Sequence, residues 1–144
     1  VTLSDEIEHV TAYLQIEKAR FQESLQIDIQ IPEHLATARL PAFSLQPMVE
    51  NAIKHGTSQL LGIGKITIRA HQEDHLIVIE ISDNAGLYHS QGASHQLGLG
   101  MRLVDKRIKL RYGDLYGVLV ECQPDNYTKI KICLPLEKNM DNAA

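Results

Sequence analysis

Lys65-Ile66-Thr67-Ile68-Arg69-Ala70-His71, then Gln72-Glu73-Asp74, then His75-Leu76-Ile77-Val78-Ile79-Glu80-Ile81-Ser82 is the stretch that decides the fold. Branched aliphatic residues alternate with polar ones in the first run and dominate the second, which is the composition of β-strands. The polar triplet between them reads as a turn, so the two runs form a hairpin. A second hairpin is expected over 117–122 and 127–134, around Pro124-Asp125-Asn126. Upstream, Leu25, Ile27, Ile29 and Ile31 alternate with Gln26, Asp28 and Gln30, a half-buried strand ended by Pro32.

Helical periodicity fills the spaces between the strands. A first helix is expected from Ser4, taken as its N-cap, to about Gln22; Asp5, Glu6 and Glu8 lie in its first turn, and Ile7, Val10, Leu14 and Phe21 form its apolar stripe. A second is expected to begin near Phe43 or Ser44 and to stop at Gly56, and a third runs from about Leu99 to Tyr112 and closes at Gly113. Helices interspersed with hairpins predict an α+β domain, a two-layer sandwich with a mostly antiparallel sheet and helices on one face.

Composition sets outer limits. The chain has 144 residues, 44% hydrophobic, 22% charged, with a formal net charge of −4. That length suits one domain, able to bury roughly 70% of its unfolded surface. With no Trp and two Phe, the core must come from Ile, Leu and Val. Two cysteines make neither a disulfide framework nor a four-ligand zinc site; Cys122 and Cys133 fall near opposite ends of the last hairpin and read as small apolar residues. No apolar run approaches the roughly 18–20 residues of a membrane span. The acidic balance argues against a general polyanion binder, while leaving room for a local phosphate pocket.

Two nucleotide motifs fail. Gly62-Ile63-Gly64-Lys65-Ile66-Thr67 has the Gly-Lys pair of a phosphate loop, but Gln59 stands at the first glycine and Ile66 replaces the magnesium-binding hydroxyl. Gly98-Leu99-Gly100 opens like a dinucleotide fingerprint but has Leu103 at the third glycine and no strand immediately before it.

Three other stretches carry chemistry together. On the second helix Leu45, Met48, Val49, Ala52 and Ile53 share one face, leaving Glu50, Asn51, Lys54 and His55 on the other. A neutral oxygen ligand, a cation and a ring on one face suit a magnesium–phosphate group and a base; the same spacing also describes an ordinary helix with a solvated face. Asp83-Asn84-Ala85-Gly86 follows the apolar strand directly. Asp83 at a strand end can accept a proton from an exocyclic amine, at about 1.5–3 kcal/mol for a charged hydrogen bond; an Asp-Asn turn is the alternative. Gly98-Leu99-Gly100 opens the third helix, where free amides seat phosphate and where a glycine hinge is the plainer reading.

In combination these stretches resemble the N, G1 and G2 boxes of the ATP-binding fold shared by histidine kinases, gyrase, the 90-kDa heat-shock chaperone and mismatch-repair ATPases, the Bergerat-type fold. Within it, LQPMVENAIKHG (45–56) and GLGMRLVDKRIKLRYG (98–113) look like the LytS/YehU type of bacterial sensor histidine kinase, and DEIEHVTAYLQIEKARF (5–21) is similar to the helix after the phospho-accepting segment of that family. The resemblance covers about 1–136. It implies a helix over 1–22 continuing from an upstream dimerisation and phosphoacceptor segment, an ATP-binding catalytic domain over 23–136 and a flexible tail over 137–144. The chain would then be a cytoplasmic fragment of a longer, inner-membrane protein.

The resemblance further implies ATP and Mg²⁺ as ligands, with transfer of the γ-phosphoryl group to a histidine and then to a response regulator. Asn51 would bind Mg²⁺, Lys54 would contact phosphate, and His55 would lie against the adenine. Asp83 would accept the adenine amine's hydrogen bond, with Gly86 beside it in the G1 stretch. Gly98, Leu99 and Gly100 would bring the lid and a helix N-terminus to the phosphates, with Arg102 as a further phosphate contact. Glu50 is a proton acceptor for the incoming histidine, a magnesium neighbour or a solvent-facing side chain. Lys106, Arg107, Lys109 and Arg111 read as solvated surface.

Departures from the family pattern are as informative. The G1 glycines usually fall two and four residues after the acid, where this chain has Ala85 and Leu87. Leu103 stands where Asn is common, and Pro47 where hydrolysing ATPases keep a catalytic Glu, so efficient hydrolysis is not expected. The acceptor histidine would lie upstream of Val1; His9, acidic-flanked on a helix, is the alternative within the chain. His34, His71 and His75 read as loop or strand-end residues, and His89 and His95 as part of an 83–98 lid. The rival functions are a nucleotide sensor that binds ATP or ADP without transfer, and a hydrolysing ATPase.

Overall fold

The computed structural model describes residues 1–87 and 98–136. Its elements in chain order are α1 (Leu3–Phe21), β1 (Leu25–Gln30), α2 (Gln46–Lys54), β2 (Gly64–Glu73), β3 (Leu76–Asp83), α3 (Leu99–Tyr112), β4 (Gly117–Gln123) and β5 (Tyr127–Pro135), with short 3-10 turns at 22–24, 33–35 and 57–59. The proposed tail at 137–144, His89, His95 and most of the 83–98 loop lie outside the described residues.

The strands form one sheet in the order β1-β2-β3-β5-β4. Both hairpins are antiparallel, and β3 pairs antiparallel with β5 across the sheet centre. The β1–β2 pair is parallel, reached by a crossover that contains α2. Alternation along the strands turns Ile66, Ile68, Ile77, Ile79, Ile81, Ile130, Ile132 and Leu134 toward the helices, where they are buried with Leu3, Val10, Leu14, Met48, Val49, Met101, Val104 and Ile108 in one core. The expected aliphatic core and the helices on one face are both present. The opposite sheet face carries polar residues such as Asp28, Thr67, Glu80, Lys129 and Lys131; Lys131 lies 3.9 Å from both Glu80 and Glu121.

Several element boundaries differ from expectation for identifiable reasons. The N-cap of α1 is Thr2, not Ser4: Thr2 Oγ1 accepts from the Asp5 amide at 3.1 Å, and Asp5 Oδ2 accepts from the Thr2 amide at 3.0 Å. That reciprocal box satisfies two end groups at once, while the Leu3 and Ser4 amides donate to Ala38 and Ala36. Helix α2 starts two to three residues later than predicted because Phe43 has φ 62°, outside helical space. It ends on His55, and Gly56 at φ −126° is not a left-handed cap. In the β2–β3 hairpin Glu73 pairs with Leu76, so the turn is Asp74-His75, with Asp74 at φ 53°.

The last hairpin turns where expected, with Gln123 opposite Tyr127. Cys122 faces Thr128 and Cys133 faces Gly117, at opposite ends of that hairpin, and both thiols are free. Not all of the basic residues on α3 are solvated. Lys109 Nζ donates to Asp105 Oδ1 at 2.7 Å and to the Tyr116 carbonyl at 2.9 Å, and Asp105 also accepts from the Val118 amide at 2.8 Å. This lock fastens α3 to the start of β4. Arg107, exposed like Lys106 and Arg111, donates its Nη2 to the Ala42 carbonyl at 2.8 Å.

Candidate nucleotide site

The polar face of α2 and the start of α3 form opposite walls of an open cleft of about 270 Å³, lined by Pro47, Glu50, Asn51, Lys54, His55, Gly98, Leu99, Gly100 and Met101. Seven of these, Glu50, Asn51, Lys54, His55, Gly98, Leu99 and Gly100, are residues the sequence singled out. The split on α2 follows from its period: Met48, Val49, Ala52 and Ile53 are buried, Glu50 and Asn51 half-buried, and Lys54 and His55 exposed. Lys54 Nζ lies 3.8 Å from Glu50 Oε1, one turn away. So exposed a pair contributes little to stability and leaves the ammonium available to an anion.

Gly100 does more than free the backbone. A β-carbon there would come within 3.1 Å of Pro47 Cβ, so its missing side chain lets α3 begin against α2. Among the described residues a β-carbon on Gly98 would meet only Met101 Cε, at 4.0 Å. Gly98 is the N-cap of α3, and among the described residues no side chain caps it, so the helix opens toward the cleft with its first amides uncapped.

Asp83 ends β3 on the helix-covered face and is 5% exposed. Its Oδ1 accepts from the Ala85 amide at 2.9 Å and the Gly86 amide at 3.3 Å. Its Oδ2 faces Gly56, one residue beyond His55. Burial pushes the carboxyl pKa up, against the opposing effect of backbone hydrogen bonds from Ala85, Gly86 and Thr128. A buried carboxylate at the foot of α2, with one oxygen committed to the turn and the other toward the helix end, is a fixed acceptor.

Asp83 itself does not line the cleft, and Gly86, Asn84 and Arg102 also lie apart from it. Gly86, at φ 64°, packs on the β4–β5 turn: its carbonyl accepts from the Asp125 amide at 3.0 Å, and a β-carbon would come within 2.8 Å of that same amide nitrogen. Asn84 is structural in the same way, since its side chain accepts from the Lys65 amide at 2.7 Å and donates to the Ile63 carbonyl at 2.9 Å. Arg102 is exposed on α3 and does not line the cleft.

Sequence reading missed two contributors. Gly56, expected as a helix stop, is the close-approach point for Asp83. Glu6, expected as a first-turn charge, is 5% exposed and accepts from the Phe43 amide at 3.1 Å and the Leu45 amide at 3.2 Å, just ahead of α2. The signal for Glu6 was present: it falls on the Leu3, Val10, Leu14 stripe, where an acid needs partners. Tyr13 on α1 has its pKa raised by burial and then by the negative charges of Glu17 and Glu50, the latter a cleft residue. Among the described residues no group of three or more His, Cys, Asp or Glu could hold a metal ion, and no helix is long and apolar enough to cross a membrane.

This is the architecture of histidine kinase catalytic domains. The chain superimposes on the histidine kinase domain of a blue-light activated kinase from Erythrobacter litoralis EL346 with a TM-score of 0.68 at 15% identity, covering 98% of this chain and 64% of that one. It superimposes on the catalytic domain of histidine kinase ThkA with a TM-score of 0.63 at 11% identity, covering 94% of each chain. A structure of ThkA in complex with the response regulator protein TrrA matches with a TM-score of 0.66 at 14% identity, covering 94% of this chain and 41% of that one.

Sequence similarity is closer. The chain is 61% identical over 135 residues to the sensor histidine kinase BtsS of Escherichia coli (strain K12), and 32% identical over 147 residues to the sensor protein LytS of Streptococcus agalactiae serotype V. Each alignment covers 94% of this chain; the chain spans about a quarter of those proteins, 24% and 25%. No protein-family model matches it. The chain is therefore a homologue of a segment of sensor histidine kinases, with the fold of their catalytic domains.

Proposed function

We propose that the chain is the ATP-binding catalytic part of a two-component sensor histidine kinase. It would deliver the γ-phosphoryl group of ATP to a histidine on an upstream dimerisation segment, for onward transfer to a response regulator. One observation carries this reading: Glu50, Asn51, Lys54 and His55 on α2 face Gly98-Leu99-Gly100 at the start of α3 across a single cleft. The 61% identity to a sensor histidine kinase supports it. Full-length relatives are about four times longer, so the acceptor histidine, the dimer and a membrane anchor are assigned to the parent protein, with this domain on its cytoplasmic side.

Phosphoryl transfer asks a protein mainly for positioning and charge stabilisation. Asp83 and His55 would hold the adenine, by a hydrogen bond to its amine and by ring contact. Lys54 would sit against the phosphates, with the α3 amides opposite. Asn51 is a neutral oxygen donor on the same wall, beside the Glu50 carboxylate. That pair suits Mg²⁺, which keeps waters and takes few protein ligands when phosphates supply the rest. When bound, the ion supplies neutralisation of phosphate charge. Pro47 lines the cleft and cannot activate water, which favours transfer over hydrolysis.

The test is γ-labelled ATP supplied to the chain joined to its upstream segment. Label on histidine is the expected result. Binding without label would leave a nucleotide sensor, the reading favoured by Ala85 and Leu87 in the G1 positions. Steady phosphate release from the chain alone would instead mark a hydrolysing ATPase.

A further inference from the structure

The segment that leads into α2 is held from both sides. From α1, the buried Glu6 carboxylate accepts from the Phe43 and Leu45 amides, and the His9 ring meets the Phe43 ring edge-on, 5.4 Å between centroids. From α3, Arg107 Nη2 donates to the Ala42 carbonyl at 2.8 Å. Between these grips Phe43 holds φ 62° while its side chain is 59% exposed. An aromatic residue seldom adopts that backbone without something enforcing it, and here the amides on either side of Ser44 converge on one carboxylate. The side chain of Leu45, the N-cap residue of α2, makes no capping hydrogen bond; Glu6, 39 residues away, takes its amide instead.

We propose that Glu6 is a positioning residue for the cleft: reaching from α1, its carboxylate shapes residues 42–45 and thereby sets where α2 presents Asn51 and Lys54. Any displacement of α1 would then be felt at the cleft wall through two hydrogen bonds. The role rests on the nucleotide reading of that cleft, and the experiment separates the two.

ATP with Mg²⁺ is titrated calorimetrically into the chain, into Glu6→Gln and into Ile77→Val. The glutamine oxygen can serve one amide, while its NH₂ opposes the other. Ile77 lies in the core at the opposite end of β3 from Asp83 and controls for lost stability alone. Hydrogen exchange of the α2 amides is measured alongside. Glu6→Gln is expected to weaken ATP by about fivefold or more, the lower end of ordinary coupling between sites, and to speed exchange across α2. Ile77→Val should do neither. Wild-type affinity in Glu6→Gln, with exchange at Phe43 and Leu45 accelerated, would overturn the proposal, as would an equal loss in Ile77→Val. If the wild-type chain itself does not bind ATP, the nucleotide reading fails; exchange alone then decides, and α2 exchange no faster in Glu6→Gln than in Ile77→Val refutes the clamp. Glu6→Asp, one methylene too short to reach both amides, replaces Glu6→Gln if that variant does not fold.

Discussion

Gly56 and Asp83 meet at the foot of α2, where a β-carbon on the glycine would come within 2.9 Å of the Asp83 Oδ2 atom. The contact joins the end of the helix that carries Asn51, Lys54 and His55 to the end of the strand that carries the acid. A β-carbon there would also come within 2.4 Å of the Ala52 carbonyl oxygen, so the position has no room for a side chain. The constraint is space.

Gly56→Ala should therefore displace Asp83 or the end of α2, since the added carbon also meets the Ala52 carbonyl. Overpacking of this kind costs about 1–3 kcal/mol, and nucleotide binding should weaken with it. Gly62→Ala is the matched control: among the described residues nothing lies within 4 Å of its added carbon, so stability should change by no more than about 0.5 kcal/mol. Thermal melts of the two variants, with and without ATP, check both statements.

Asp83→Asn should weaken ATP binding tenfold or more if the adenine hydrogen bond is worth about 1.5–3 kcal/mol. Its effect on the empty protein should have the opposite sign. Burial raises the Asp83 pKa on folding, so this group's contribution to stability is complete below the usual aspartate value of about 3.9 and is lost as pH rises through the raised folded value. At pH 7 the neutral amide escapes that loss, and Asp83→Asn should melt higher than wild type. The gap should close as pH falls below about 4. A variant that melts lower at pH 7 would show that the backbone hydrogen bonds to the carboxylate outweigh its desolvation.

Local pattern made most of the fold legible. The hairpins followed from alternation, and α3 has the predicted span because Gly98 and Gly113 bracket a clear period. The parallel β1–β2 pairing is set by a crossover, which period-two alternation does not encode. The start of α2 was placed too early because Phe43 takes a left-handed backbone that no local signal announces. Its cause is Glu6, 37 residues away, and long-range hydrogen bonds leave no periodicity.

Within the site, residues sharing one helix face were easy to group, which is why Glu50, Asn51, Lys54 and His55 were found together. Gly86 was harder. A glycine near a motif acid invites a ligand role, yet Gly86 serves the β4–β5 turn, a contact between segments 37 or more residues apart. Gly117 shows the same logic: at φ 146° its missing side chain leaves room for Asp105 and Lys109.

Gly117→Ala should thus break the α3–β4 lock by both strain and crowding, whereas Lys109→Met should lose only the hydrogen bonds of Nζ. The first is expected to destabilise by about 2–4 kcal/mol, combining left-handed strain with overpacking, and the second by about 1 kcal/mol. Denaturant titration separates them; equal losses would mean that the lock depends on the ammonium alone.

Asn51, Lys54 and Glu50 share one wall but should fail in different ways. Lys54 offers a charge to phosphate, so Lys54→Ala should weaken ATP whether or not Mg²⁺ is present. Asn51 offers a neutral oxygen suited to the ion, so Asn51→Ala should abolish most of the gain in affinity that Mg²⁺ brings and change metal-free binding by less than about threefold, under 1 kcal/mol. Glu50 tests the step beyond binding. If its carboxylate accepts the proton of the incoming histidine, Glu50→Gln should bind Mg–ATP within about twofold of wild type yet lower transfer about 10²–10⁴-fold. If it serves only to pair with Lys54 at 3.8 Å, transfer should persist, because an exposed pair carries at most about 1 kcal/mol. Binding with and without Mg²⁺, followed by transfer at saturating ATP in the chain joined to its acceptor segment, assigns the three roles separately.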